Sequence, residues 1–271
     1  MRPDPPTPSA VPTEAGAGDA ERRFAGAARL YGEAAMRRLR GARVAVVGVG
    51  GVGSWAAEAL ARCAVGRLAL IDLDHVAESN ANRQIHALGD EFGRAKVIAM
   101  ADRIRAINPQ AEVAPVEEFV TPENVADLLQ GFDVVLDCID QARAKAAMIA
   151  WCCRSHQPVV VSGSAGGRLD PTRIRCADLA TVQGDALLAG VRQRLRRDHG
   201  FPRAEGRRPR PFGVAAIHVE TRGAPGRAVA SATPAGSGAP LACAGYGSSV
   251  VVTAPLGFAL AAAAIDVLVS A

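Results

Sequence analysis

Chemistry-bearing residues crowd into the first half of the chain. From Arg43 to Gly53 the sequence reads Arg-Val-Ala-Val-Val-Gly-Val-Gly-Gly-Val-Gly, and a helical pattern, Ser54 to Leu60, follows at once. An apolar β-rich run that meets Gly48, Gly50, Gly51 and Gly53 and then a helix is how a strand feeds a phosphate-binding turn. Glycines permit the tight turn and the close approach of backbone N–H groups, and the helix N-terminus adds its dipole and free donors. Asp72 follows Gly53 by 19 positions, at the end of a second apolar run, where a carboxylate accepts hydrogen bonds from ribose hydroxyls. Then comes Asp74, and a polar segment Glu78-Ser79-Asn80-Ala81-Asn82-Arg83-Gln84, which is costly to bury without partners. As a site wall it supplies amide donors from Asn80 and Gln84 and a bidentate phosphate clamp from Arg83. Lys96, at the start of an amphipathic helix, adds a second cation for phosphates. Asp140, just past another apolar run, is placed to hold Mg²⁺ beside a triphosphate, because hard divalent ions prefer oxygen ligands.

The elements that position these groups alternate. A basic helical pattern spans 21–40, and the strand from Val44 to Val47 is followed by a helix to about Ala64. A strand covers 67–72, a helix 92–107, a strand 112–119, and a further helix starts at Thr121 (N-cap) and Pro122. A strand at 132–137, a helix at 142–155 and a strand at 158–162 complete the series. Repeated β–α alternation implies right-handed crossovers and a parallel sheet. The fold class expected is α/β, a Rossmann-like mostly parallel sheet flanked by helices, with a C-terminal extension of antiparallel strands and helices. By this reading residues 1–20 are a disordered leader rich in Pro, Ala, Gly and Thr, 21–170 the nucleotide-binding core, and 171–271 the extension.

The extension carries strand patterns at 173–177 and 213–220 and eight arginines between 192 and 210. Arg192, Arg194, Arg196, Arg197, Arg203, Arg207, Arg208 and Arg210 make either a solvated basic face or a phosphate-binding surface for nucleic acid. No aromatic residues interleave with the cluster to stack on bases, so contact would be to the backbone. A Gly/Ala/Ser/Pro stretch at 223–240 reads as a flexible loop, and Cys243 follows it in a setting where a thiol can be exposed and reactive. The run from Val250 to Val269 is apolar enough for a membrane span, but Pro255, Gly257 and Asp266 interrupt it, and a buried or subunit-interface helix is the preferred reading.

Composition narrows the classes. In 271 residues with 49% hydrophobic and only 4% aromatic content, a sizeable core is available, and the net charge of +4 makes the local arginine cluster the notable feature. Six cysteines without regular spacing and without a Cys-x-x-Cys pair argue against a disulfide scaffold or a four-thiolate zinc site, and for a reduced, cytoplasmic protein. The N-terminus has no apolar segment of a signal peptide.

With these motifs together, the run from Phe24 to about Gly167 resembles the E1-like, ThiF/MoeB-type adenylating enzymes. The shared features are Gly-x-Gly-Gly-x-Gly (Gly48, Gly50, Gly51, Gly53), Asp-x-Asp (Asp72, Asp74), Asn-x-x-Arg-Gln (Asn80, Arg83, Gln84), the helix lysine Lys96 and Asp140. Within the family, Arg29-Leu30-Tyr31-Gly32 looks like the segment whose arginine reaches the phosphates, often across a homodimer. Asn82 to Leu88, Phe119 to Ala126 and Ala165 to Thr172 are similar to the tRNA threonylcarbamoyladenosine dehydratase subgroup in particular. The resemblance implies binding of ATP and Mg²⁺, and tRNA carrying threonylcarbamoyladenosine as the partner. It implies activation of the threonyl carboxylate as an adenylate, followed by ring closure with net loss of water. Arg83, Lys96, Asp140, Arg29 and, for a thioester route, Cys243 are its candidate catalytic residues. A sulfur-relay protein is a further expected partner. Two alternatives stay open at this point: activation of a ubiquitin-like sulfur carrier with the same ATP site, and an NAD-binding oxidoreductase.

Overall fold

The structure, a computed structural model, describes residues 17–203, 209–220 and 247–270. The leader before Ala17, Arg207 and Arg208, the stretch 223–240 and Cys243 lie outside the described residues.

Seven strands form one sheet: β1 (Arg43–Val47), β2 (Arg67–Ile71), β3 (Glu112–Val116), β4 (Val134–Asp137), β5 (Val159–Ser162), β6 (Ile174–Asp178) and β7 (Ala215–Val219). Their order is β3-β2-β1-β4-β5-β7-β6. All neighbours run parallel except β6 and β7, whose pairing is antiparallel from Ile174 opposite Val219 to Asp178 opposite Ala215. The expected parallel sheet with antiparallel C-terminal strands is what forms, and the C-terminal strands join it edge-on by way of β5 and β7.

The helices are α1 (Ala17–Tyr31), α2 (Glu33–Gly41), α3 (Gly53–Arg62), α4 (Lys96–Ile107), α5 (Val125–Leu129), α6 (Ala142–Arg154), α7 (Ala186–Asp198) and α8 (Val250–Ser270). They cover both faces, and the strand period of two sorts the core accordingly. Val44 and Val46 of β1 pack in one cluster with residues of α2, α3, α4 and α8, while Ala45 and Val47 pack in the other with α5, α6 and α7. Strands buried on both sides explain the continuous apolar runs, since each fully buried Val, Leu or Ile contributes roughly 1.5–3 kcal/mol.

Two readings of the sequence need correction here. The helix expected over 21–40 is two helices, broken where Gly32 adopts φ +81°, and the first begins at Ala17, inside the stretch taken as leader. The helix expected from Thr121 starts at Val125. Thr121 Oγ1 instead accepts from the backbone N–H groups of Glu123 and Asn124, so the threonine caps a turn that precedes the helix.

The apolar α8 is built into the fold. It packs against α2, α3 and the faces of β4, β5 and β7. At Gly257 a side chain would come within 2.9 Å of Trp55 Cβ, so the missing Cβ is what lets α8 lie on α3. By length and composition α8 passes for a membrane span, yet half of its apolar window is buried in the protein. That burial accounts for its composition.

Candidate nucleotide site

In this sheet the chain moves from β1 outward to β2 and β3, then returns to the other side of β1 with β4. Ligands of open α/β sheets bind outside the carboxyl ends of the strands at such a switch point. A cavity of about 450 Å³ lies there. Its walls are the residues that leave each strand: Gly48 after β1, Asp72 after β2, Cys138 to Gln141 after β4 and Ser162 to Gly166 after β5.

The glycine turn works by close approach. Gly48 has φ +87°, in the left-handed region that favours glycine, and a Cβ there would press on Ile139 at 3.0 Å. Gly50 and Gly51 line the cavity. Gly53 does not. A side chain on it would collide with the Gly48 carbonyl oxygen, so this glycine lets the first turn of α3 sit against the strand exit. Asp72 fixes the turn from the neighbouring strand: its carboxylate accepts from Val49 N at 2.7 Å and from Asp74 N at 2.9 Å. Burial raises its pKa above the ordinary carboxylate value, with Lys96 and the two backbone donors pulling the other way. Each oxygen keeps a lone pair for a ribose hydroxyl.

Asn80, Arg83 and Gln84 all line the same wall. Asn80 is buried and its side-chain oxygen accepts from Ala77 N at 3.1 Å, which closes the short 3₁₀ turn Glu78–Asn80. Arg83 donates through Nη1 to Ser79 O at 2.8 Å and to Asn82 Oδ1 at 2.9 Å, and its backbone carbonyl accepts from Trp55 Nε1 at 2.9 Å and from Thr253 Oγ1 at 3.4 Å. Helices α3 and α8 therefore hold the arginine's backbone while its side chain runs beside Gly51 and lines the cavity. Gln84 is buried, and its Oε1 has no partner among the described residues. An orphaned acceptor in a cavity wall costs about 1–3 kcal/mol unless a ligand donor meets it, and an amino or hydroxyl group of a nucleoside is such a donor.

Lys96 is buried at the start of α4, with Nζ 2.7 Å from Asp74 Oδ2. Asp140 is exposed on the rim. Among the described residues no group of three or more His, Cys, Asp or Glu side chains is arranged to hold a metal. Asp140 still suits Mg²⁺, which keeps several waters and typically takes one or two protein carboxylates plus substrate phosphates. Arg29 is exposed on α1 and lies outside the cavity of its own chain.

Several residues in the cavity wall or bracing it from behind escaped the sequence reading. Lys145 is wholly buried and donates to Asp137 Oδ1 at 2.8 Å, Asp137 O at 3.1 Å and Ile139 O at 3.0 Å, bracing the turn that presents Asp140. Its place four residues into an otherwise ordinary amphipathic helix gave no signal. Asp185, buried, caps α7 through Leu188 N at 2.9 Å and also accepts from Ser164 N at 2.8 Å, tying α7 to the glycine-rich exit of β5. Cys138 lines the cavity, and burial pushes its thiol above the ordinary range, which disfavours the nucleophilic thiolate.

A doubly wound sheet whose switch-point cavity carries a glycine turn, a ribose-level carboxylate and an Arg/Lys/Asp rim defines a nucleotide-binding protein equipped for a polyphosphate. The ThiF family model matches residues 23–190, and the chain belongs to that family. It is 40% identical over 248 residues to the tRNA threonylcarbamoyladenosine dehydratase of Haemophilus influenzae, covering 91% of this chain and 93% of that protein. Over 179 residues it is 54% identical to the protein of the same name from Escherichia coli strain K12, covering 66% of this chain and 67% of that one. Among solved structures, that of E. coli tRNA N6-threonylcarbamoyladenosine dehydratase in complex with ATP superposes with a TM-score of 0.81 at 42% identity, covering 95% of this chain and 98% of that one.

Proposed function

We propose that this chain uses ATP to dehydrate threonylcarbamoyladenosine in tRNA. The observation that carries the reading is the cavity wall itself: Arg83, Lys96 and Asp140 line it together with Gly48, Gly50 and Gly51, and hydride transfer would need no such set of charged groups. Identity to the dehydratases across nine-tenths of the chain supports the substrate.

In this reading Asp72 and Gln84 receive the nucleoside, and the backbone of Gly48 to Gly51 receives the phosphates. Arg83 and Lys96 offset charge that develops on the α-phosphate and the departing pyrophosphate, a role worth about 10²–10³ in rate for one well-placed donor. Lys96 exchanges Asp74 for phosphate as substrate enters. Asp140 would hold Mg²⁺, which supplies Lewis-acid stabilisation of the same charge. The threonyl carboxylate attacks the α-phosphorus and pyrophosphate leaves. Attack from within the activated group then closes a five-membered ring and expels AMP, a net loss of water that needs no external thiol. Leu30, 76% exposed beside exposed Arg29 on α1, supports a homodimer in which that arginine serves the partner's cavity. The incorporation of α8 into the core supports a cytoplasmic enzyme.

The test is pyrophosphate release from ATP and Mg²⁺ with tRNA that carries or lacks the modification. Release that requires the modified tRNA and falls at least 100-fold in Arg83→Ala is expected. Release indifferent to tRNA would refute the reading.

A further inference from the structure

A second pocket, of about 420 Å³, opens on α7 and is lined by Ala189, Arg192, Gln193, Arg196, Arg197 and Arg203. We infer that this pocket is a phosphate site, and that the phosphate it takes belongs to the RNA backbone beside the modified nucleotide. The inference rests on the tRNA reading given above.

Four guanidinium groups share the pocket, and their local partners leave them with very different freedom. Arg196 is fixed by packing: it donates to Pro202 O at 3.2 Å and lies 5.2 Å over the ring of Phe212, which itself stacks edge-on against Phe201. Arg197 makes an exposed double contact with Asp198 at 2.6 and 2.8 Å, of the kind that contributes little and exchanges readily for phosphate. Arg203 is exposed. Arg192 is the unusual one. It is half-buried, its Nη1 has no partner among the described residues, and the carboxylate whose field it feels, Asp185, is already engaged by Ser164 N and Leu188 N. Burial and the neighbouring Arg196 both press its pKa downward. A cation with a buried, unpaired donor is expensive to keep, so the Arg192 side chain gains by shifting to meet a phosphate oxygen in the pocket with a charge-assisted bond.

The location fits an RNA strand. Leu187, on the first turn of α7, lines the nucleotide cavity. At 1.5 Å per residue, Arg192 and Arg197 stand roughly 8 and 15 Å farther along the same helix, within a few nucleotides of a base held at the cavity. No aromatic side chain lines the pocket, so it selects charge over base identity. One helix thus measures from the reacting base to the backbone of its own strand.

The experiment titrates the full chain with an anticodon stem-loop RNA carrying threonylcarbamoyladenosine, at 50 and 200 mM salt. The proteins are wild type, Arg203→Gln, the Arg192→Gln/Arg203→Gln double variant, and Arg67→Gln. The last loses an exposed arginine at the start of β2, on the opposite end of the sheet. Each lost phosphate contact should lower the slope of log K against log salt by about 0.7–0.9. The double variant is expected to bind about tenfold more weakly at low salt, with its slope reduced by about 1.5 and the KM for ATP unchanged. Arg203→Gln, exposed and safe for folding, should lose about half as much slope, and Arg67→Gln none. Unchanged slopes in both variants, with RNA-dependent turnover intact, would overturn this site alone. Variants that lose inhibition by inorganic pyrophosphate but keep the RNA slope would make it a product site and overturn the RNA assignment. ATP turnover by wild type that ignores RNA would overturn the reading beneath it as well.

Discussion

Replacing Lys145 by Met tests the brace under the β4–α6 turn. Lys145 and Asp137 are both fully buried, and the ammonium makes three hydrogen bonds, to Asp137 Oδ1, Asp137 O and Ile139 O. Asp137 Oδ2 has no partner among the described residues, and burial pushes the carboxyl up to about 6 despite the lysine beside it. Removing one member of such a pair leaves the other uncompensated, at a cost of about 3–5 kcal/mol. In a chain of this size that corresponds to a Tm lower by roughly 6–20 °C. The carboxyl, deprived of its cation, will titrate higher still. The penalty should therefore be smaller at pH 5, where it is protonated, than at pH 8, where it is charged. Denaturant unfolding of wild type, Lys145→Met, Asp137→Asn and the double variant gives the coupling. Asp137→Asn should relieve part of the Lys145→Met loss, so that the double variant is more stable than the sum of the singles allows by 1 kcal/mol or more. The turn also presents Asp140, so the Mg²⁺ concentration for half-maximal turnover should rise in Lys145→Met. A loss below about 1 kcal/mol that does not vary with pH, with additive singles, would refute the account.

Three further outcomes are expected. His86 is 2% exposed, neither ring nitrogen has a partner among the described residues, and burial with Lys96 and Arg103 nearby holds its pKa down to about 4. The unfolded chain binds its proton more readily, so stability from this residue rises between about pH 4 and 6.5, whereas that from Asp137 falls between about 3.8 and 6 as its raised carboxyl ionises. His86→Leu should remove the first trend, worth at most roughly 3 kcal/mol, and leave stability that declines with rising pH in that window; thermal melts at pH 4.5 and 6.5 decide. Cys138→Ala should keep pyrophosphate release within a few-fold, because the thiol stays protonated, and a collapse in rate would show it to be chemical. Gly53→Ala should fold poorly and lose protection by ATP in thermal melts, since the new methyl group meets the Gly48 carbonyl; ATP protection equal to wild type would contradict the close packing.

The nucleotide half of the cavity was legible because its chemistry is local. Backbone donors, a strand-end carboxylate and a polar run next to a glycine turn lie within a short span of sequence, and periodicity places them on strand ends. The structure brings Gly48, Gly50, Gly51, Asp72, Asp74, Asn80, Arg83, Gln84, Lys96 and Asp140 to one cavity. What stayed hidden depends on contacts distant in sequence. Thr253 reaches the Arg83 carbonyl across 170 residues, and Val250 N donates to Asn82 O at 3.0 Å. Nothing in an apolar run of Val and Ala announces that its first turns will hold the backbone of Asn82 and Arg83.

The same long-range logic separates the two uses of buried charge in this protein. Arg103 and Arg62 both meet Glu58, at 2.7 Å each, and that carboxylate is neutralised within the fold. Asp137 has its lysine. Lys96 and Arg192 differ: the first faces a half-exposed carboxylate at the cavity mouth, and the second lines a pocket with an Nη1 that has no partner among the described residues. Buried charge that the fold completes by itself is structural, and buried charge left open toward a cavity is the part a ligand completes. By that criterion Lys96 and Arg192 are the residues to which the proposals above assign phosphate, one in the nucleotide cavity and one farther along α7.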